Sequence, residues 1–171
     1  MFLKNRLVLN SLFLLLSQNS FALSDDANKP INVNADSVSI NEKTGISIYL
    51  GNVTFTQGSL ILNGSKVVIH QTEGEVTKIL VDGQPAKFQQ QQDDSPDIVH
   101  ARAGKMKYIT KDERVYLRQK ASVWQGDNLI KGNEIEYNTR TSTVTAQKSQ
   151  NNSNRVHVVI EPNKKDPESK K

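Results

Sequence analysis

The residues able to do covalent or metal chemistry in this chain of 171 residues are few and badly placed for it. His70, His100 and His157 are far apart, each on or beside a stretch that alternates like a β-strand. Potential ligands gather only at Asp93, Asp94, Asp97 and His100, where carboxylate oxygens could meet a hard cation. Acids behind a run of glutamines make a solvated loop first of all, so no metal is expected there. Glu134 and Glu136 are two residues apart, which puts both carboxylates on one face of a strand. Alternation turns that face to water, so they read as solubilising charges rather than an acid–base pair. Cysteine is absent, which excludes thiolate nucleophiles, Cys-ligated zinc and disulfides. No HExxH, GxSxG, glycine-rich phosphate loop or dinucleotide fingerprint occurs. The expectation is a protein that is not an enzyme and uses no cofactor.

Charge sharpens this. Lys+Arg 22 against Asp+Glu 18 gives +4. Lys4 and Arg6 lie in what reads as a removable leader, and the last eight residues hold four lysines against Asp166 and Glu168. The body between is close to neutral, so no basic face for a nucleic acid is expected. Residues 1–22 have the form of a secretory signal: the positive n-region, ten residues from Leu7 to Leu16 that are mostly apolar, then Ser20-Phe21-Ala22. Cleavage is expected before Leu23. The apolar stretch is half of the roughly 20 residues a membrane span needs. An exported, soluble protein follows, periplasmic in a cell with two membranes.

The elements that must position any site are strands. Apolar residues recur at spacing two in Ile31-x-Val33, Val38-x-Ile40, Ile46-x-Ile48-x-Leu50, Val53-x-Phe55, Leu60-x-Leu62 and Val67-x-Ile69, with polar partners between. Turn residues separate them, as at 41–45, 71–74, 111–113 and 138–140. A unit made of a small residue, two variable residues and apolar-x-apolar occurs four times, starting at Ala35, Gly64, Ala103 and Gly132. The starts lie 29, 39 and 29 residues apart, so the first pair maps on the second at an offset of 68, where Gln57-Gly58 also falls on Gln125-Gly126. Such units bury their apolar face only by stacking on neighbours. The fold class expected is all-β, a jellyroll or sandwich of short antiparallel strands over residues 23–162. Gln89 to Pro96 reads as a polar loop and residues 163–171 as a disordered basic tail.

Inward positions by alternation include Ile31, Val33, Val38, Ile40, Leu50, Phe55, Leu60, Leu62, Phe88, Met106, Tyr108, Leu117, Val123, Ile135 and Tyr137. They form either a packed core or a slot open to an acyl chain, and alternation does not choose. A linear stack also has two edge strands. Pro30 precedes Ile31-Asn32-Val33-Asn34, and Glu161-Pro162 follow Val156-His157-Val158-Val159-Ile160, so both prolines delimit pairing without preventing it.

Three blocks carry a resemblance: Lys29-Pro30-Ile31-Asn32-Val33-Asn34-Ala35-Asp36, Gly51-Asn52-Val53-Thr54-Phe55-Thr56-Gln57-Gly58 and Asp82-Gly83-Gln84-Pro85-Ala86-Lys87-Phe88. In these the chain resembles the OstA-like family of periplasmic lipopolysaccharide-transport proteins, from about residue 28 to 162. The resemblance implies a slightly twisted, open β-jellyroll of about sixteen short strands. It implies a lipopolysaccharide carrier that holds lipid A acyl chains in an apolar groove. The implied lining is Ile31, Val33, Val38 and Ile40 at the entry, with Leu50, Phe55, Leu62, Phe88, Met106, Tyr108, Leu117 and Val123 further along. It implies LptC as partner at Ile31 to Asn34, the LptD N-terminal domain at Val156 to Ile160, and head-to-tail self-association through the same edges. The rivals are a protein-binding scaffold of the same fold with a closed core, and a carbohydrate-active jellyroll. The second fails on its one Trp and the lack of paired inward acids.

Overall fold

The structure, a computed structural model, describes residues 26–92, 95–148 and 155–162. The expected signal segment, the tail, and Asp93 and Asp94 of the acidic cluster lie outside them. After a short 3-10 turn at Asp26–Asn28, the chain runs through β1 (Ile31–Asn34), β2 (Ser37–Asn41), β3 (Ile46–Gln57), β4 (Leu60–Thr72) and β5 (Glu75–Gln91). It continues through β6 (Ile98–Ile109), β7 (Arg114–Gln125), β8 (Asn128–Asn138), β9 (Thr143–Gln147) and β10 (His157–Val159). All pairings are antiparallel in one unclosed sheet ordered β1-β3-β4-β5-β6-β7-β8-β10; β3 to β8 pair with sequence neighbours, while β1 and β2 share β3 and β9 and β10 share β8.

Ten strands stand where about sixteen short ones were expected, because strands run through their breaks instead of stopping at them. Each pair from β3/β4 to β7/β8 slips register at mid-length: at Leu50/Val53, Asn63/Lys66, Asp82/Ala86, Arg102/Lys105 and Arg118/Ala121. The slips line up as a row of kinks that divides the sheet into two leaves. The repeat predicted from sequence is this row, since Ala35, Gly64, Ala103 and Gly132 each fall on it. At Gly64 the small residue is needed because the neighbouring strand closes in, whereas a Cβ on Gly132 would meet nothing nearer than 3.5 Å. A Cβ on Gly64 would sit 2.6 Å from the Asp82 carbonyl oxygen and 2.7 Å from Val81 Cγ1.

The kinks of β3 and β7 are built alike, each with two successive left-handed residues. They are Gly51 (φ 77°) and Asn52 (φ 44°) in one, Gln119 (φ 69°) and Lys120 (φ 56°) in the other. Gly51 is required, since the Asp36 carboxylate occupies the place of its Cβ. That carboxylate also accepts from Asn52 Nδ2 at 3.1 Å. Glycine and asparagine take this conformation readily, whereas other residues lose about 1–2 kcal/mol each. The pair in β7 is therefore strained.

The leaves fold against each other across the core. Phe88 on the first leaf meets Tyr137 on the second edge-to-face, with ring centroids 6.3 Å apart. The fully buried side chains Phe55, Phe88, Leu62, Ile79 and Leu117 come from both leaves. Gln89–Gln91 extend β5 and do not form the expected loop. Their backbones pair with His100, Val99 and Ile98, and Gln90 Nε2 donates to Asp26 Oδ2 at 3.2 Å. Polarity marked a loop, but partners on the rim satisfy the amides within a strand.

Candidate functional site: an apolar channel between two leaves

Residues directly opposite on neighbouring strands share a face, so register traces what lines the space between the leaves. On the first leaf one row runs Val33, Phe55, Leu62, Phe88, Ala101, Val123, Ile130, Val158, from β1 to β10. On the second leaf Val38, Tyr49, Val67, Val81, Met106, Leu117, Ile135 and Ala146 form the matching row from β2 to β9. Two apolar tracks thus face each other across the whole sheet, from one edge to the other.

Their exposure changes along the way. Phe55, Leu62, Phe88, Met106, Leu117 and Val123 are buried, Tyr108 is at the margin of burial, and Val33 is half-buried against them. At the N-terminal end Val38 is 55 % and Ile40 61 % exposed, with Ile31 also exposed. At the C-terminal end Val158 is 50 % and Ile160 78 % exposed, with Val156 beside them. The space between the rows is filled by packed side chains in its middle and uncovered at both ends. Terminal strands lack a further strand beside them, so their inner faces stay open toward the edge.

One expected lining residue is misplaced. Leu50 pairs with Ser37 and Lys66, so it lies on the outer face. The inner positions of that half-strand are Ser47, buried, and Tyr49, packed on the core. The apolar triplet Ile46, Ile48, Leu50 suggested the opposite, but the two-residue kink at Gly51-Asn52 preserves parity, and Phe55 then dictates which side is inward. Tyr49, Val67, Val81 and Ala101 were missing from the expected lining. Register is what brings them in, and a sequence shows no register.

Along the free rims of the leaves opens a mouth of about 1150 Å³, lined by Asp26, Lys29, Ile31, Leu60 and Gln90–Gln92 from one side and Val76, Tyr108, Glu113, Tyr137 and Arg140 from the other. Gln92 spans it. Its Nε2 donates to Ser142 Oγ at 2.6 Å and to the Tyr137 hydroxyl at 3.3 Å, while its Oε1 accepts from Gln125 Nε2 at 2.7 Å. Gln90 Oε1 is buried here with no hydrogen-bond partner.

Burial foremost, and then the Glu113 charge, push the Tyr108 phenol up to about 12 from its usual 10.0. A raised pKa means the native state holds the proton when the unfolded chain has lost it. The stability this contributes is whole below pH 10 and falls between pH 10 and 12, by about 3 kcal/mol at most. Denaturant titrations across that window should show the fall, and Tyr108→Phe should reduce it.

The other sequence candidates are structural. His100 stacks on Trp124 with centroids 5.3 Å apart. Glu136 pairs with Arg114 at 2.6 Å and Glu134 with Arg118 at 4.0 Å, both half-exposed. Slight burial, and then Lys78, lower the pKa of His70. Among the described residues no group of three or more His, Asp or Glu is placed to hold a metal. Cross-strand register sets Lys87, Arg102, Ser122 and Lys131 in one row on the outer side of the kinks, a local cluster of cations that the summed charge does not reveal.

The class this fold defines is an open antiparallel sheet bent into two leaves, with facing apolar rows that are bare at both ends. The family model described as LptA/(LptD N-terminal domain) LPS transport protein matches residues 32–143. The lipopolysaccharide export system protein LptH of Pseudomonas aeruginosa is 32 % identical over 155 residues, 87 % of this chain and 89 % of that protein. LptA of Haemophilus influenzae is 31 % identical over 161 residues, 92 % of each chain. LptA of Escherichia coli K12 is 36 % identical over 133 residues, 77 % of this chain and 71 % of that one. The crystal structure of LptH, the LptA-homologous periplasmic component of the lipopolysaccharide transport device of P. aeruginosa, superposes with a TM-score of 0.74 at 31 % identity. It covers 80 % of this chain and 99 % of that one. The chain belongs to the LptA/LptD N-terminal-domain family of lipopolysaccharide transport proteins.

Proposed function

We propose that the protein is a periplasmic bridge that carries lipopolysaccharide by its lipid A acyl chains between the two leaves and passes it from the inner membrane to the outer. The observation that carries this is the pair of facing apolar rows, continuous from β1/β2 to β9/β10 and bare at each end. The names of its relatives support the cargo. Each buried methylene is worth roughly 0.8 kcal/mol, so a 12-carbon chain would cost on the order of 10 kcal/mol to expose. A track that keeps chains covered while they slide removes that barrier, and a lining of similar Val, Ile and Leu side chains offers no deep trap. The packed middle admits a chain only as the leaves part, with Gln92 releasing Tyr137 and Ser142 at the mouth.

Both ends fit strand addition. β1 and β2 at one edge and β9 and β10 at the other would pair with LptC, the LptD N-terminal domain or another copy, each extending the apolar rows. Counting the six kinked strands as two halves each turns ten strands into the sixteen of a jellyroll, two leaves of eight. The leader would be removed before Leu23.

Photocrosslinking to lipopolysaccharide tests the reading. A photoreactive residue replaces Ile40, Phe88 or Tyr108, with outward Lys107, whose ammonium lies 4.3 Å from the Tyr116 ring centroid, as control. Adducts at the first three and none at Lys107 are expected. Folded protein with no adduct at Phe88 or Tyr108 would mean a closed core, and the scaffold would replace the carrier.

A further inference from the structure

On the side of the sheet away from the mouth, a cleft of about 1170 Å³ follows the row of kinks, and it shares no residue with the mouth. Five cations line it, Arg102, Lys105, Lys120, Lys131 and Arg155, against one carboxylate, Asp82. Among the described residues the ion pairs are Arg114–Glu136, Arg118–Glu134 and Arg140–Glu113, so no cleft cation is neutralised in one. Lys87 stands directly opposite Arg102, and Ser122 separates Arg102 from Lys131 in the same row. Like charges opposed on neighbouring strands destabilise a sheet, so the row is not there for stability. Arg102 is pinned by donating Nε–H to Ser122 Oγ at 3.0 Å and lies 5.7 Å from the Trp124 ring centroid.

The backbone repeats the message. The strained left-handed pair Gln119-Lys120 stands where the equivalent kink of β3 uses the relaxed Gly51-Asn52. In β7 the chain tolerates strain and in return sets a lysine and an amide into the cleft. Strain retained beside a concentration of cations, with Asp82 the one acid opposite Lys105, is the kind of outlier that clusters at functional sites.

We infer that this cleft binds a phosphorylated saccharide. The cations call for more than one phosphate, and Ser65, Gln84, Gln119 and Asn133 add the hydroxyl and amide groups that pair with sugar hydroxyls. The volume of about 1170 Å³ exceeds what a lone phosphate needs and lies just above the roughly 300–1,000 Å³ of small-molecule sites. Such sugars reach the cleft either as the headgroup of a glycolipid or free. The inference does not depend on the acyl track.

The test titrates the full chain without its leader with an acyl-free bisphosphorylated hexosamine disaccharide, at two salt concentrations. Binding should weaken with salt, fall at least tenfold in Arg102→Ala/Lys131→Ala and about threefold in Lys120→Asn. Lys120→Asn restores a residue suited to positive φ, so its melting temperature should rise by on the order of 3 °C as affinity drops. A protein whose role for Lys120 was only structural would show no such opposition. Equal affinity for the unphosphorylated disaccharide, equal affinity for inorganic phosphate, or unchanged binding in both variants would each overturn the inference. Displacement of the disaccharide by intact lipopolysaccharide identifies the lipid headgroup as the source, and its failure to displace assigns the cleft to free phosphosaccharides.

Discussion

Phe88→Ala is expected to remove about 3–5 kcal/mol of folding stability, the usual cost of emptying a buried phenylalanine site. Phe88 is 2 % exposed, takes its place in the first-leaf row between Leu62 and Ala101, and meets Tyr137 across the interior. Its loss therefore loosens the contact between leaves as well as the packing within one. Thermal unfolding should come roughly 10 °C earlier, with an unchanged denaturant slope if the native state stays compact. Leu50→Ala is the comparison. Leu50 is as apolar but lies on the outer face and is exposed, so its truncation should stay within about 0.5 kcal/mol. Equal effects at the two positions would mean that the assignment of faces in β3 is wrong.

The second large effect is expected at the C-terminal edge. Val158→Arg with Ile160→Arg should leave the monomer's melting temperature within about 2 °C, since Val158 is half and Ile160 mostly in water. Association between copies should weaken by a hundredfold or more. Each side chain is worth roughly 1.5–3 kcal/mol when a partner strand covers it, and two of them together exceed the about 2.7 kcal/mol that a hundredfold represents. Sedimentation equilibrium of parent and variant across a concentration series measures this. A variant that associates as tightly as the parent would show that β10 is not a docking edge.

Both effects depend on which face of a strand looks inward, and here the sequence was legible only in part. Around Phe55, Leu62, Phe88, Met106 and Leu117 the alternation was sufficient, because polar neighbours in Thr54, Thr56, Asn63 and Lys107 left one apolar side. In Ile46-Ser47-Ile48-Tyr49-Leu50 it pointed the wrong way. Both sides of that half-strand carry apolar groups, and the choice is made by the partners Val67 and Ile69 beside it. The glutamines of β5 misled for a related reason. Amides look like loop until Asp26, more than sixty residues away, supplies the partner that lets them sit in a sheet.

Local information sufficed for whatever is periodic or absent. Spacing of two made the chain all-β, and small residues at Ala35, Gly64, Ala103 and Gly132 marked the kinks. The lack of cysteine excluded thiolate, disulfide and Cys-ligated zinc chemistry. Tertiary structure alone decided the rest. It set two apolar rows face to face, closed them in the middle and left them bare at the ends. It also gathered lysines and arginines of β6, β7 and β8, with Arg155 ahead of β10, into one basic cleft. The reason is physical: alternation is set within a strand by its own backbone, whereas rows and charge clusters arise from register between residues distant in the chain.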